Sequence, residues 1–158
     1  MSIINIQTGS MTLFDKKLTL GMLLDEVRQN FEDDIALSFI YPYKDTFQGC
    51  ALLVMRPVFI YNIQAKVRLH FYKTNLQKIE MILDPYTYET LNDIKELNTD
   101  FQAYKYAKTV LDKYLNEEFG NVSDVYESVK CTLVQYHYCH YENIVLELTA
   151  KERSIYDR

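Results

Sequence analysis

The chain is short of the residues on which most phosphate-binding and nucleophile loops are built. It has 4 glycines, 3 prolines, 3 cysteines and no tryptophan in 158 residues. It contains no P-loop, no G-x-G-x-x-G turn and no G-x-S-x-G elbow, motifs that need glycine where backbone closes on a ligand or runs left-handed. Scarce glycine and proline also argue against long flexible linkers. The cysteines, Cys50, Cys131 and Cys139, are odd in number and fall in or beside strand-like stretches. That is the usage of free thiols in a reducing compartment, not of a disulfide framework. The first residues, Met1-Ser2-Ile3-Ile4-Asn5-Ile6, lack a basic segment followed by an apolar one, and apolar runs such as Ala51 to Met55 fall far short of a membrane span. A soluble, cytoplasmic protein with no membrane association is expected.

What the chain does have is aromatic and apolar bulk. Tyrosines number 14 and phenylalanines 8, with 48% hydrophobic and 25% charged residues. Such a composition folds, and a chain of this length buries roughly 68–70% of its unfolded surface without help from metal or disulfide. One domain over residues 1–158 is expected. The net charge of −5 and pI near 5.2 weigh against nucleic acid, because phosphate neutralisation supplies much of a duplex binder's affinity. They suit a basic protein partner better, through steering and charge complementarity.

Periodicity predicts the elements. Ile3–Gln7 and Met11–Phe14 read as short strands turning at Gly9. Leu20, Leu23, Leu24, Val27 and Phe31 recur at helical spacing, which predicts a helix over Leu20–Phe31 capped by Thr19. Strands follow from Ile35 to Tyr41, Gln48 to Met55 and Val58 to Ile63. The clearest pattern is a hairpin: Val67, Leu69 and Phe71 alternate with polar residues, then Ile79, Met81 and Leu83 do so after a Lys73-Thr74-Asn75 turn. Tyr86 to Leu97 fits a short helix. A longer one has the stripe Tyr104, Ala107, Leu111, Tyr114, Leu115 and Phe119 and stops at Gly120. Two alternating strands close the chain, one holding Val129, Cys131 and Leu133, the other Ile144, Leu146 and Leu148. The expected class is α+β, an antiparallel sheet of five to eight strands with two to three helices packed on one face.

The residues best suited to chemistry or recognition cluster at Gln135-Tyr136-His137-Tyr138-Cys139-His140-Tyr141. In a strand Cys131, His137 and Cys139 share parity, and zinc takes such ligands, but neither C-x₂₋₄-C nor H-x₃₋₅-H spacing occurs. A catalytic cysteine needs a helix N-terminus or a neighbouring base, and no cysteine begins a predicted helix. Glu32-Asp33-Asp34 lacks calcium-loop spacing. Tyr104-Lys105-Tyr106-Ala107-Lys108 alternates aromatic and basic side chains, yet an amphipathic helix accounts for all of it. No catalytic residue, metal or cofactor is therefore assigned. Exposed tyrosine is enriched at protein interfaces, so Tyr136, His137, Tyr138, His140 and Tyr141 are the candidate partner-binding residues. Glu32, Asp33 and Asp34 form an acidic second patch. The alternative is a ligand- or metal-binding domain, possibly enzymatic, using Cys131, His137, Cys139 and His140.

The order of elements also carries a resemblance. Leu18-Thr19-Leu20-Gly21-Met22-Leu23-Leu24-Asp25-Glu26 at a helix start, the hairpin around Val67-Arg68-Leu69-His70-Phe71 and Leu76-Gln77-Lys78-Ile79, and the helix end from Leu111 to Gly120 resemble small bacterial immunity proteins of polymorphic or contact-dependent toxin systems. The resemblance implies a protein without an active site that binds and neutralises a cognate toxin, and the net charge of −5 suits a basic one.

Overall fold

A computed structural model describes residues 3–41, 50–84, 100–138 and 143–151. Its fold is α+β and its strands pair antiparallel throughout. A small sheet opens the chain, with β1 (Ile4–Asn5), β2 (Ser10–Leu13) and β3 (Lys16–Thr19) in sequential order. Then come α1 (Leu24–Asn30) and a 3₁₀ turn over Glu32–Asp34. A large sheet follows, made of β4 (Ile35–Tyr41), β5 (Cys50–Met55), β6 (Val58–Ile60), β7 (Ile63–Tyr72), β8 (Asn75–Leu83), β9 (Val125–Glu127), β10 (Cys131–Tyr138) and β11 (Asn143–Ala150). Its order is β4-β5-β7-β8-β11-β10-β9, with β6 also on β7. The long helix α2 (Asp100–Phe119) precedes β9. The helix expected at Tyr86–Leu97 lies outside the described residues.

Alternation decides which face of the large sheet is buried. Ile63, Ala65, Val67, Leu69 and Phe71 of β7 point inward with Ile79, Met81 and Leu83 of β8 and Ile144, Leu146 and Leu148 of β11. A bulge beyond His70 leaves Gln77 unopposed, so both Leu76 and Ile79 face the core. The same cluster takes in Met11, Leu13 and Leu18 of the small sheet, Val27 and Phe31 around α1, and Ala107, Leu111 and Leu115 of α2. Each buried Val, Leu, Ile, Met or Phe side chain contributes about 1.5–3 kcal/mol by leaving water.

The first helix is shorter than its periodicity predicts. Leu20 to Leu24 satisfy their backbone elsewhere: Leu20 N–H donates to the Gly9 carbonyl, Gly21 N–H to Leu76, and Leu24 N–H to Thr74, each at 2.8 Å, while the Met22 carbonyl accepts from Leu76. Backbone committed to sheet-type bonds cannot also form the first helical turn. The helix therefore begins at Leu24, with Leu23 at its cap and no side-chain cap bond, and Thr19 ends β3. Other boundaries move for a related reason. Phe14-Asp15, Tyr61-Asn62 and Lys73-Thr74 are all at positive φ and form two-residue hairpin turns. The expected strand over Val58–Ile63 is cut by one of them, and Asn75 belongs to β8 rather than to the turn. Val129 is almost fully exposed and precedes β10.

Gly120 ends α2 as expected, with φ +80 and its N–H on the Asn116 carbonyl at 2.9 Å. A side chain there would meet nothing within 4 Å. The cost of Gly120→Ala is therefore that of left-handed backbone alone, about 1–2 kcal/mol. Urea denaturation should show that loss with the slope unchanged.

Candidate functional site

Tyr136 and His137 do not share one patch. In β10, Cys131, Leu133 and Gln135 face inward, and His137 shares their side, where its ring stacks on Tyr104 of α2 with centroids 4.1 Å apart. Tyr136 stands on the opposite face, and its hydroxyl donates to Glu147 Oε1 at 2.9 Å. Both residues are exposed, but the sheet lies between them. Tyr138 ends the strand opposite Asn143. Cys139, His140 and Tyr141 lie outside the described residues.

Cys131 and His137 share a face but not a site. Six residue steps along one strand separate them by roughly 20 Å, too far for one metal ion to hold both. Cys131 is buried, donates to the Ile6 carbonyl at 3.2 Å and sits beside the Ser128 hydroxyl. Burial raises its thiol pKa despite the Ser128 hydrogen bond and the Lys151 charge, which suits a packing residue rather than a thiolate. Among the described residues no group of three His, Cys, Asp or Glu side chains is placed to hold a metal.

The acidic triplet divides as well. Glu32 and Asp33 are exposed at the 3₁₀ turn, while Asp34 is buried. Asp34 Oδ2 accepts from Lys16 Nζ at 2.9 Å, and Oδ1 accepts from Arg56 Nε at 3.0 Å. Burial pushes its carboxyl up, but the hydrogen bonds and charges of Lys16 and Arg56 outweigh that and hold it below the ordinary aspartate value. Asp34 thus ties β3 to the end of β5 and is a structural acid, a correction to its place in a partner-binding patch.

The outer face of the large sheet has two zones. Across β7, β8 and β11 runs a row of charges in which Glu80 and Glu147 are direct cross-strand neighbours. Such a like-charged pair is unfavourable alone, and basic side chains flank it. Arg68 lies 3.7 Å and His70 3.3 Å from Glu80, and Lys78 lies 3.9 Å from Glu147. The His70 hydrogen bond, against some burial and with Arg68 and Lys78, lowers the Glu80 pKa. A shallow cleft beside the row is lined by Lys66, Arg68, Glu80, Asp84 and Tyr136.

The second zone is apolar. In β4, Leu37 opposes Val54, and Phe39 opposes Leu52. Leu52 in turn opposes His70, so these residues share the outer face. Leu37 is 55% and Phe39 39% exposed, and Ile40 on the other side of the strand is 40% exposed. Tyr72 is also exposed at the far end of β7. Among the described residues β4 pairs only with β5 and forms one edge of the sheet.

One polar device is marked in the sequence only by acids at the unfavourable end of α2. Glu118 Oε1 accepts from the Ile3 N–H at 2.6 Å, and Oε2 accepts from the Tyr61 hydroxyl. Tyr61 is buried and stacks on Tyr114, with centroids 5.1 Å apart. Burial first, then Glu118, raises its pKa far above the ordinary tyrosine value. These bonds offset a dipole penalty of about 0.3–1 kcal/mol. Glu118 thus ties the end of α2 to the start of β1 and to the β6–β7 turn.

Comparison with known proteins finds nothing similar: no family model, no curated protein and no solved structure matches the chain.

Proposed function

We propose that the chain is a non-enzymatic protein-binding domain of the inhibitor or immunity type, which docks its partner on the β4 edge of the large sheet. The observation that carries this reading is an edge strand of seven residues, Ile-Ala-Leu-Ser-Phe-Ile-Tyr, without a single charge or proline. Natural sheets blunt their edges with charge, proline or brevity, since an open edge is a template for another chain. The other edge does this: β9 has three residues and carries Glu127, paired with Lys151 at 2.7 Å. The exposed Leu37 and Phe39 of β4 give apolar area of the kind found at interface centres. In the charged row on the outer face, Arg68 lies beside Glu80 and Lys78 beside Glu147, an arrangement that supports binding over catalysis. An exposed Cys50 suits a reducing compartment such as the cytoplasm.

Affinity capture with tagged wild type and a Leu37→Lys/Phe39→Lys variant, from a lysate of the source cell, tests the reading. One stoichiometric protein held by the wild type and lost from the variant, with unchanged circular dichroism, is expected. Failure of the wild type to hold any stoichiometric protein would refute it.

A further inference from the structure

We infer that β4 takes up an extended segment of its partner as an added antiparallel strand, and that this segment carries apolar residues at alternate positions followed by lysine or arginine on its C-terminal side. The inference rests on the protein-binding reading and gives it a mode and a partner chemistry. Unpaired backbone groups along an edge supply sequence-independent affinity, and the alternating side chains of the added strand supply selectivity. On the outer face the new strand's alternating apolar residues lie beside Leu37 and Phe39, and its polar residues fall on the side of Ile40. The edge has one interruption, a bulge at Ala36, which falls near its beginning and leaves Leu37 to Tyr41 in regular register with β5.

Charge sets the direction. Every pair in the large sheet is antiparallel, and an antiparallel addition brings the C-terminal end of the new strand to the start of β4. The 3₁₀ turn that leads into β4 presents Glu32 and Asp33 there. The cations paired at this turn, Lys16 and Arg56, are held on Asp34, which leaves Glu32 and Asp33 as exposed carboxylates just before Ile35. Lysine or arginine at that end of the partner segment completes the charge pattern.

Two labelled peptides read this directly: Thr-Val-Ser-Ile-Thr-Val-Asn-Lys-Arg-Lys, and the same peptide with glutamate at its last three positions. Each is titrated into the isotope-labelled full chain, and amide shifts are followed. The basic peptide should perturb Ile35–Tyr41 and bind roughly fivefold tighter than the acidic one, a difference that salt reduces. Phe39→Lys should abolish the perturbation, and Glu32→Lys/Asp33→Lys should invert the preference. Absence of shifts in β4 with either peptide at millimolar concentration overturns the inference. So does a concentration-dependent dimer that Phe39→Lys dissolves, which would give the edge to a second copy of this chain. A partner captured equally by the wild type and the Leu37→Lys/Phe39→Lys variant overturns the use of this edge while leaving the protein-binding function standing.

Discussion

Replacing Phe31 with alanine should remove about 3–5 kcal/mol of stability, among the largest losses any single side chain here can cause. Phe31 is fully buried and belongs to the cluster that joins α1 to both sheets. Its backbone N–H closes α1 on the Val27 carbonyl, and its own carbonyl accepts from Asp34 N–H, both at 2.9 Å. The ring also lies under the Lys16 ammonium, 5.2 Å from its centroid. Truncation opens a cavity where helix, 3₁₀ turn and sheet meet, and backbone bonds on both sides limit collapse into it. Equilibrium urea denaturation should show a lower midpoint with an unchanged slope. Phe31→Leu, which keeps most of the volume, should lose less than half as much. A loss below 1 kcal/mol for Phe31→Ala would mean that the site refills, and that Phe31 does not organise the junction.

The same junction shows what the sequence carries and what it leaves unsaid. Apolar period placed β7, β8, β10, β11 and α2 close to where they lie, because burial of one face is written directly in alternation or in a helical stripe. Leu20 and Leu23 follow the same helical rule and are nonetheless outside the helix. Their backbone bonds go to Gly9 and to the start of β8, and a bond to a residue fifty positions away leaves no local trace. The strand β3 and the break between β6 and β7 were hidden by turn chemistry. Such turns favour Asn-Gly or Asp-Gly, whereas here Phe14-Asp15 and Tyr61-Asn62 take positive φ with an aromatic residue first and no glycine.

The candidate site was less legible than the fold. Parity correctly puts His137 on the side of Cys131, and for that reason it separates His137 from Tyr136. Composition marks tyrosines as interface residues without saying which side of a sheet each one faces. The β4 surface could not be found from its sequence, because Ile35 to Tyr41 reads as an ordinary strand. Its significance comes from strand order, which makes it an edge, and order is fixed by pairings between distant segments. Asp34 was misplaced by its neighbours. Three consecutive acids look alike in sequence, but Lys16 and Arg56 come from elsewhere in the chain to meet only one of them.

That division makes acid sensitivity a discriminating measurement. The ordinary value for an aspartate is 3.8, and Asp34 lies below it in the folded state. A carboxyl with a depressed folded pKa stabilises the fold fully above its unfolded pKa, and that stability is lost as pH falls through the folded pKa. Asp34→Asn keeps the shape and gives up the charge. It should cost about 1–3 kcal/mol at neutral pH, since Lys16 and Arg56 are themselves partly exposed and can return to water. As pH drops below 4 the wild type should lose stability and converge on the variant. Glu80, also depressed, follows the same sign from its ordinary value of 4.5, but Arg68 and His70 are solvated enough that Glu80→Gln should cost about 1 kcal/mol or less. Parallel wild-type and Asp34→Asn stabilities across this range would show that the ion pairs add nothing. Glu32→Gln and Asp33→Asn, at exposed positions, should change stability by no more than about 0.5 kcal/mol. If those two variants nevertheless weaken binding of a basic peptide at β4, the three adjacent acids separate into one that holds the turn and two that face the partner.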